Sequence, residues 1–259
     1  MSENAFCATV SNLPVGDERR DATAKPASRS GATRYRAKID SCHPANAREI
    51  LADHSSCFLG VSLENLSFSD GKFLSMVEWI DRRCERCLIL IGDSIHRKTL
   101  QIRTGISENE AFGQALELGR RFQERAQTLL GSTSLKCQFE FGSCSDIQST
   151  PSYAVYRETM RAEFDINQAF RDSVAQFSES YIEKKGGGAC HLHRDILVQL
   201  SVEYFLEELA IFACLLNRGF PVMVYPGSFS SLETIVEGRI SGLAAISPRA
   251  LMSLQIKGR

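Results

Sequence analysis

The chain has 259 residues, of which 43% are apolar and 24% charged, and its 30 basic and 31 acidic side chains leave a formal net charge of −1. Those totals fit a globular protein with a real core, one large α/β domain rather than two small ones, and no apolar run is long enough to cross a bilayer. With charge so nearly balanced, any contact with nucleic acid has to come from a local patch.

Residues 1–35 are rich in Ser, Ala, Arg, Asp and Thr with few large apolar side chains, so a disordered tail is expected there and a single domain over residues 36–259. The same stretch lacks the apolar centre of a secretory signal. Nine cysteines at irregular spacing point to free thiols rather than a disulfide framework, and the cytoplasm is the expected compartment.

Short apolar runs then alternate with amphipathic stretches: CFLGV (57–61), DGKFLSMVEWIDRRCER (70–86), CLILIG (87–92), SENEAFGQALELGRRFQERAQTLL (107–130) and LKCQFEF (135–141). This is a βαβαβ rhythm. CLILIG shows no polar alternation, as a strand covered on both faces of a parallel sheet should, which predicts a doubly wound α/β fold with helices on both faces. Ser107 and Glu110 form a capping box, and Phe112, Ala115, Leu116, Gly119, Phe122, Ala126 and Leu129 mark the buried face of the helix that follows. Arg120, Arg121 and Arg125 lie off that face. They are either a solvated surface with Glu117 and Glu124 as neighbours or a phosphate-binding stripe. Helical segments over 153–185 and 193–217 read as an insertion, after which FPVMVYPG (220–227) predicts a buried strand and SSLETIVEG (230–238) a helix.

Ligands of an open parallel sheet bind at the carboxyl ends of its strands, and two predicted strand ends carry hydroxyls, Ser62 and Tyr225. Gly60 lets backbone or substrate approach Ser62, and free amides in the following turn suit an oxyanion. Serines in such turns more often only bond backbone, and spacing alone favours that reading. An α/β-hydrolase elbow needs glycine two residues after the serine, where this chain has Glu64. Tyr204 and Glu208 are four apart on one face of an apolar helix, so Glu208 is either paired, metal-bound or able to bind a cation such as a substrate ammonium, or else exposed at the insertion's surface. Cys84 and Cys87 are a lone CxxC, Cys190, His191 and His193 lack a fourth ligand, and His96 reads as a loop histidine, so no metal is expected.

GVSLEN (60–65), LIGDSIHRKT (90–99), the Tyr204 and Glu208 pair with EELAIF, and VYPG (224–227) together resemble the tRNA-dependent cyclodipeptide synthases. The resemblance runs from about residue 57 to 230. It implies a Rossmann-like domain similar to the catalytic core of class I tyrosyl and tryptophanyl tRNA synthetases. Neither a HIGH-like nor a KMSKS-like segment is present, so activated amino acids must arrive ready made, with two aminoacyl-tRNAs as substrates and no ATP, cofactor, DNA or membrane. By resemblance Ser62 is the nucleophile that takes the first aminoacyl group as an ester. Tyr204 and Glu208 hold its amino group, a second aminoacyl-tRNA extends the ester to a dipeptide, and ring closure releases Ser62 with Tyr225 relaying protons. Phe58, Gly60 and Ile91 are expected around the first substrate, and Arg120, Arg121 and Arg125 against tRNA. Pro226 points to the family's Tyr-Pro branch, in which the position of Asn65 is variable. Two further readings are a synthetase-like protein that binds aminoacyl-tRNA without chemistry and a serine hydrolase of small esters.

Overall fold

The structure, a computed structural model, describes residues 35–185, 192–228 and 230–258. The expected N-terminal tail therefore lies outside the described residues except for Tyr35, which opens a strand. Cys190 and His191 also lie outside them.

Six strands form one sheet in the order β1 (Tyr35–His43), β6 (Ala250–Gly258), β5 (Val222–Tyr225), β2 (Ser56–Val61), β3 (Arg86–Ile91) and β4 (Gln138–Ser143). All neighbours are parallel except β1, which runs antiparallel to β6. Every residue of β2 and β5 is buried, and so is β3 beyond Arg86, as unbroken apolar runs demand of a sheet covered on both faces. β1 and β6 go beyond the sequence reading. β1 is an edge strand with only Ala37 buried, so its sequence carries no continuous apolar run.

Helix α1 (Ala47–His54) leads into β2, and α2 (Asp70–Asp81) joins β2 to β3. Two helices, α3 (Asp93–Thr104) and α4 (Glu108–Gly131), lie between β3 and β4. α3 corrects the reading of His96 as a loop histidine, since that residue lies within the helix. Its polar residues Ser94, His96, Lys98 and Thr99 are buried, so it shows no apolar stripe although it is a regular helix. α4 opens on Ser107, whose hydroxyl accepts from the Glu110 amide at 3.3 Å. Its buried face contains Ala111, Ala115, Gly119, Phe122 and Ala126, while Phe112 is 39% exposed.

The insertion consists of α5 (Cys144–Gln148), α6 (Pro151–Ile166), α7 (Gln168–Lys185) and α8 (Arg194–Asn217), followed after β5 by α9 (Ser230–Val236). The expected helical run over 153–185 is broken at Asn167, whose side chain accepts from the Phe170 amide and restarts the chain as α7. His193 is the N-cap of α8. Cys84 and Cys87 are buried free thiols, and among the described residues no group of three or more His, Cys, Asp or Glu could hold a metal. No described helix is long and apolar enough to cross a membrane.

The chain extends from β2 to β3 to β4 in one direction, then returns through the insertion to β5 on the other side of β2. That reversal opens a crevice above the carboxyl ends of β2 and β5, where a ligand of such a sheet belongs.

Candidate active site

Ser62 follows the last residue of β2, and Tyr225 is the last residue of β5. Parallel pairing of Phe58 with Met223 sets the two strand ends level, and Ser62 Oγ lies 2.8 Å from Tyr225 Oη. Gly60 lies on the sheet face between them, where a Cβ would crowd Met223 Cε at 3.3 Å and make ordinary contact with Tyr225 Cδ2 at 3.7 Å. Gly92, just past the end of β3, is more tightly constrained, because its amide donates to the Val61 carbonyl and a Cβ would approach that backbone oxygen to 2.8 Å. The Ser62 turn is held from within by Asn65. Its Oδ1 accepts from the Ser67 amide at 2.9 Å, and its Nδ2 donates to Tyr225 Oη at 3.4 Å.

α8 crosses this face of the sheet, with Phe212 packed on Phe58 at 5.2 Å between ring centroids. One turn of α8 places Tyr204 Oη 3.2 Å from Glu208 Oε1, with the tyrosine donating. The Tyr204 ring stacks on Tyr181 of α7 at 5.2 Å, and Tyr181 in turn bonds Thr99 of α3. Glu208 touches the cavity but is crowded by protein on its other sides. Burial therefore pushes its carboxyl up to about 7, against the opposing pull of the Tyr204 hydroxyl. Burial likewise raises the Tyr204 and Tyr225 hydroxyls, so both are neutral donors at physiological pH.

Ser62 lines two cavities. The inner one, about 30 Å³, is walled by Gly60, Leu90, Tyr204, Glu208, Met223 and Tyr225, among others. The outer one, about 440 Å³, opens past Asn65, Leu66 and Phe68 to Arg121 and Arg125 of α4. The four residues expected to carry chemistry, Ser62, Tyr204, Glu208 and Tyr225, thus come together on the inner cavity. Gly60 borders it too.

Two expected pocket residues do not. Ile91 corrects to Leu90: alternate strand residues face opposite ways, and Ile91 Cγ2 comes within 3.4 Å of where a Cβ on Gly119 of α4 would stand, on the far face. Phe58 shares the site's face but is fully buried beneath Phe212. The α4 arginines are exposed. Arg120 and Arg121 pair with Glu117 and Glu124, while Arg125 reaches Asp70 at 3.1 Å and the Phe68 carbonyl at 3.2 Å.

The sequence reading also missed a buried ion pair. Arg97 of α3 grips Glu207 of α8 through two bonds of 2.6 and 2.9 Å, and Gln148 of α5 donates to the same carboxylate. Nothing in the neighbourhood of Glu207 along the chain reveals a partner 110 residues away.

A family profile described as cyclodipeptide synthase matches residues 41–243. The chain belongs to the cyclodipeptide synthase family. It is an enzyme by that membership. Among curated proteins it is similar to cyclo(L-leucyl-L-phenylalanyl) synthase from Streptomyces noursei, 24% identical over 174 residues, which cover 64% of this chain and 72% of that protein. A cyclodipeptide synthase structure from Fluoribacter dumoffii superposes with a TM-score of 0.74 at 20% identity, covering 88% of this chain and 99% of the other. The family structure from Candidatus Glomeribacter gigasporarum bound to Phe-tRNAPhe gives 0.59 at 18% identity, covering 78% and 88%. The fold extends beyond the family. Tyrosyl-tRNA synthetase from Archaeoglobus fulgidus gives a TM-score of 0.50 at 13% identity over 85% of this chain and 61% of that one, in keeping with the Rossmann-like, class I synthetase architecture.

Proposed function

We propose that this cyclodipeptide synthase joins the amino acids of two aminoacyl-tRNAs through esters on Ser62, in a ping-pong sequence. The observation that carries the reading is the 2.8 Å contact between Ser62 and Tyr225 on the wall that also holds Tyr204 and Glu208. Glu208 anchors the ammonium of the first aminoacyl group, which sets its ester carbonyl before Ser62. Ser62 Oγ attacks, the bond to the tRNA ribose breaks, and the serine proton ends on the ribose oxygen. The ester is already activated, so neutral Tyr225 suffices to orient and relay that proton.

The direction of the second transfer follows from atom balance. For the chain to stay on Ser62, the amine of the Ser62-bound residue must attack the second aminoacyl ester and release the second tRNA. Glu208, titrating near neutrality, takes one proton from the bound ammonium to free the attacking amine, and the second proton, lost as the amide forms, passes to the ribose oxygen of the departing tRNA. The new terminal amine then attacks the Ser62 ester, closing the ring, and the proton returns to Ser62 Oγ through Tyr225. The inner cavity is too small for most side chains as it stands, so the first amino acid enters by displacing the flexible Met223.

Arg121 and Arg125 at the mouth of the outer cavity and Arg120 beside them support the tRNA-binding reading of α4. Pro226 after Tyr225 supports the Tyr-Pro branch, and tRNA substrates make the cytoplasm the working compartment. The test is intact-protein mass after mixing with one aminoacyl-tRNA and quenching in acid. The wild type gains one aminoacyl residue and Ser62→Ala gains none; an unmodified wild type refutes the covalent route.

A further inference from the structure

Glu64 stands two residues after Ser62, in the turn between β2 and the 3-10 turn Leu66–Phe68. Its backbone is left-handed, with φ of +58°. Among described residues other than glycine only Ser55 shares that sign, and Ser55 closes the end of α1, where such a conformation is ordinary. Glu64 ends no helix, so its conformation must be imposed by its surroundings.

The surroundings come from one helix. His96 Nε2 lies 3.1 Å and Arg103 Nη1 2.6 Å from the same oxygen, Glu64 Oε2. The two donors are seven residues apart, two turns of α3, and so share a face. His96 is 5% exposed and lines the inner cavity. Burial raises the Glu64 carboxyl, but the hydrogen bonds from His96 and Arg103 outweigh it and the net shift is downward, so the clamp is made by a carboxylate. Arg97, next to His96, fixes α8 through Glu207. α3 therefore ties the turn carrying Ser62 to the helix carrying Tyr204 and Glu208.

We propose that Glu64 is a positioning residue: held by His96 and Arg103, its carboxylate locks the left-handed turn so that Ser62 Oγ stays on Tyr225 and in line with a carbonyl anchored at Glu208. The assignment rests on Ser62 being the acyl acceptor. A glutamate here is harder to accommodate than glycine, and the grip of α3 is what the extra side chain provides.

Glycine and glutamine separate strain from grip. Glu64→Gly adopts the backbone freely but has nothing for α3 to hold, whereas Glu64→Gln keeps an acceptor. The measurements are the single-turnover rate of Ser62 aminoacylation, KM for aminoacyl-tRNA, and Tm. In Glu64→Gly, Tm should hold or rise while acylation slows roughly tenfold to 100-fold with KM little changed, as a small misplacement of a reacting group produces. Glu64→Gln should recover much of the rate, and Arg103→Ala added to Glu64→Gly should cost nothing further. The proposal is overturned if Glu64→Gly acylates at the wild-type rate, if its loss appears only in KM, or if the Arg103→Ala effect multiplies with it. An unacylated wild type would remove the acceptor reading as well, while an acylated wild type with indifferent variants removes this inference alone.

Discussion

Ser62 and Tyr225, 163 residues apart in the chain, share a 2.8 Å hydrogen bond across the switch point of the sheet. The contact depends on two neighbouring parallel strands ending close together and is supported by Asn65, which bonds both the turn and the phenol. Each of those conditions can be tested separately.

Tyr225→Phe keeps the ring that packs against Phe68, 6.0 Å between centroids, and removes only the hydroxyl. Folding should be nearly unaffected. Turnover should fall by about 10²-fold or more, the usual contribution of a positioned proton carrier. Intact-protein mass spectrometry during turnover should show Ser62 still acylated, with the dipeptidyl form accumulating if ring closure is the step most dependent on the relay.

Glu208 makes activity depend on pH near neutrality. Its folded carboxyl is raised to about 7 from an ordinary 4.5, so it is neutral below and an ammonium anchor only above. The rate of Ser62 acylation should therefore climb through about pH 7, and Glu208→Gln should flatten that limb. Stability runs the other way: between pH 4.5 and 7 the folded state binds the extra proton, so stability falls as pH rises through that window. At about 1.4 kcal/mol per pH unit between folded and unfolded values, ionisation costs roughly 3 kcal/mol above pH 7. Glu208→Gln should accordingly raise Tm at pH 8 and lower activity there.

The α4 arginines are exposed and their carboxylate partners are exposed too, so Arg120→Ala combined with Arg121→Ala should leave Tm nearly unchanged. Affinity for aminoacyl-tRNA should drop most at low salt, because the wild type's advantage is electrostatic. The slope of log affinity against log salt should become shallower by roughly 0.7 to 0.9 for each phosphate contact removed. Unchanged affinity and slope would leave these arginines as a solvated helix face.

Gly119 lets α4 lie against the end of β3. A Cβ there would come within 2.6 Å of Asp93 Cβ, and Asp93 is itself fixed by two bonds from Ser145. Gly119→Ala should cost about 1 to 3 kcal/mol through overpacking, despite the better helix propensity of alanine. A thermal melt several degrees below the wild type checks it, at roughly 2 to 4 °C per kcal/mol for a protein of this size.

β2, β3 and β5 are legible because burial on both faces leaves an uninterrupted apolar run, and the place of the candidate site is legible because hydroxyls at strand ends fall at the ligand crevice, whereas the roles proposed for those residues come from the family resemblance. β1 has no continuous apolar run, and its one signal, the alternation of Tyr35, Ala37 and Ile39 with Arg36, Lys38 and Asp40, is short and begins at the boundary of the expected tail. α3 shows no apolar stripe because most of its buried residues are polar, with partners on other elements: His96 with Glu64, Lys98 with Glu108, Thr99 with Tyr181. The shift from Ile91 to Leu90 is a matter of strand phase, which a run apolar on both faces does not reveal. Spacing alone favours a turn role for Ser62, and the tertiary contact with Tyr225, which no local pattern reveals, is what supports the proposal that it reacts.

The most direct measurement is mass spectrometry of a reaction containing the purified protein and a full set of aminoacyl-tRNAs. The wild type should release a cyclic dipeptide and Ser62→Ala should release none. Absence of any cyclic dipeptide from the wild type, or equal amounts from both proteins, would contradict the account.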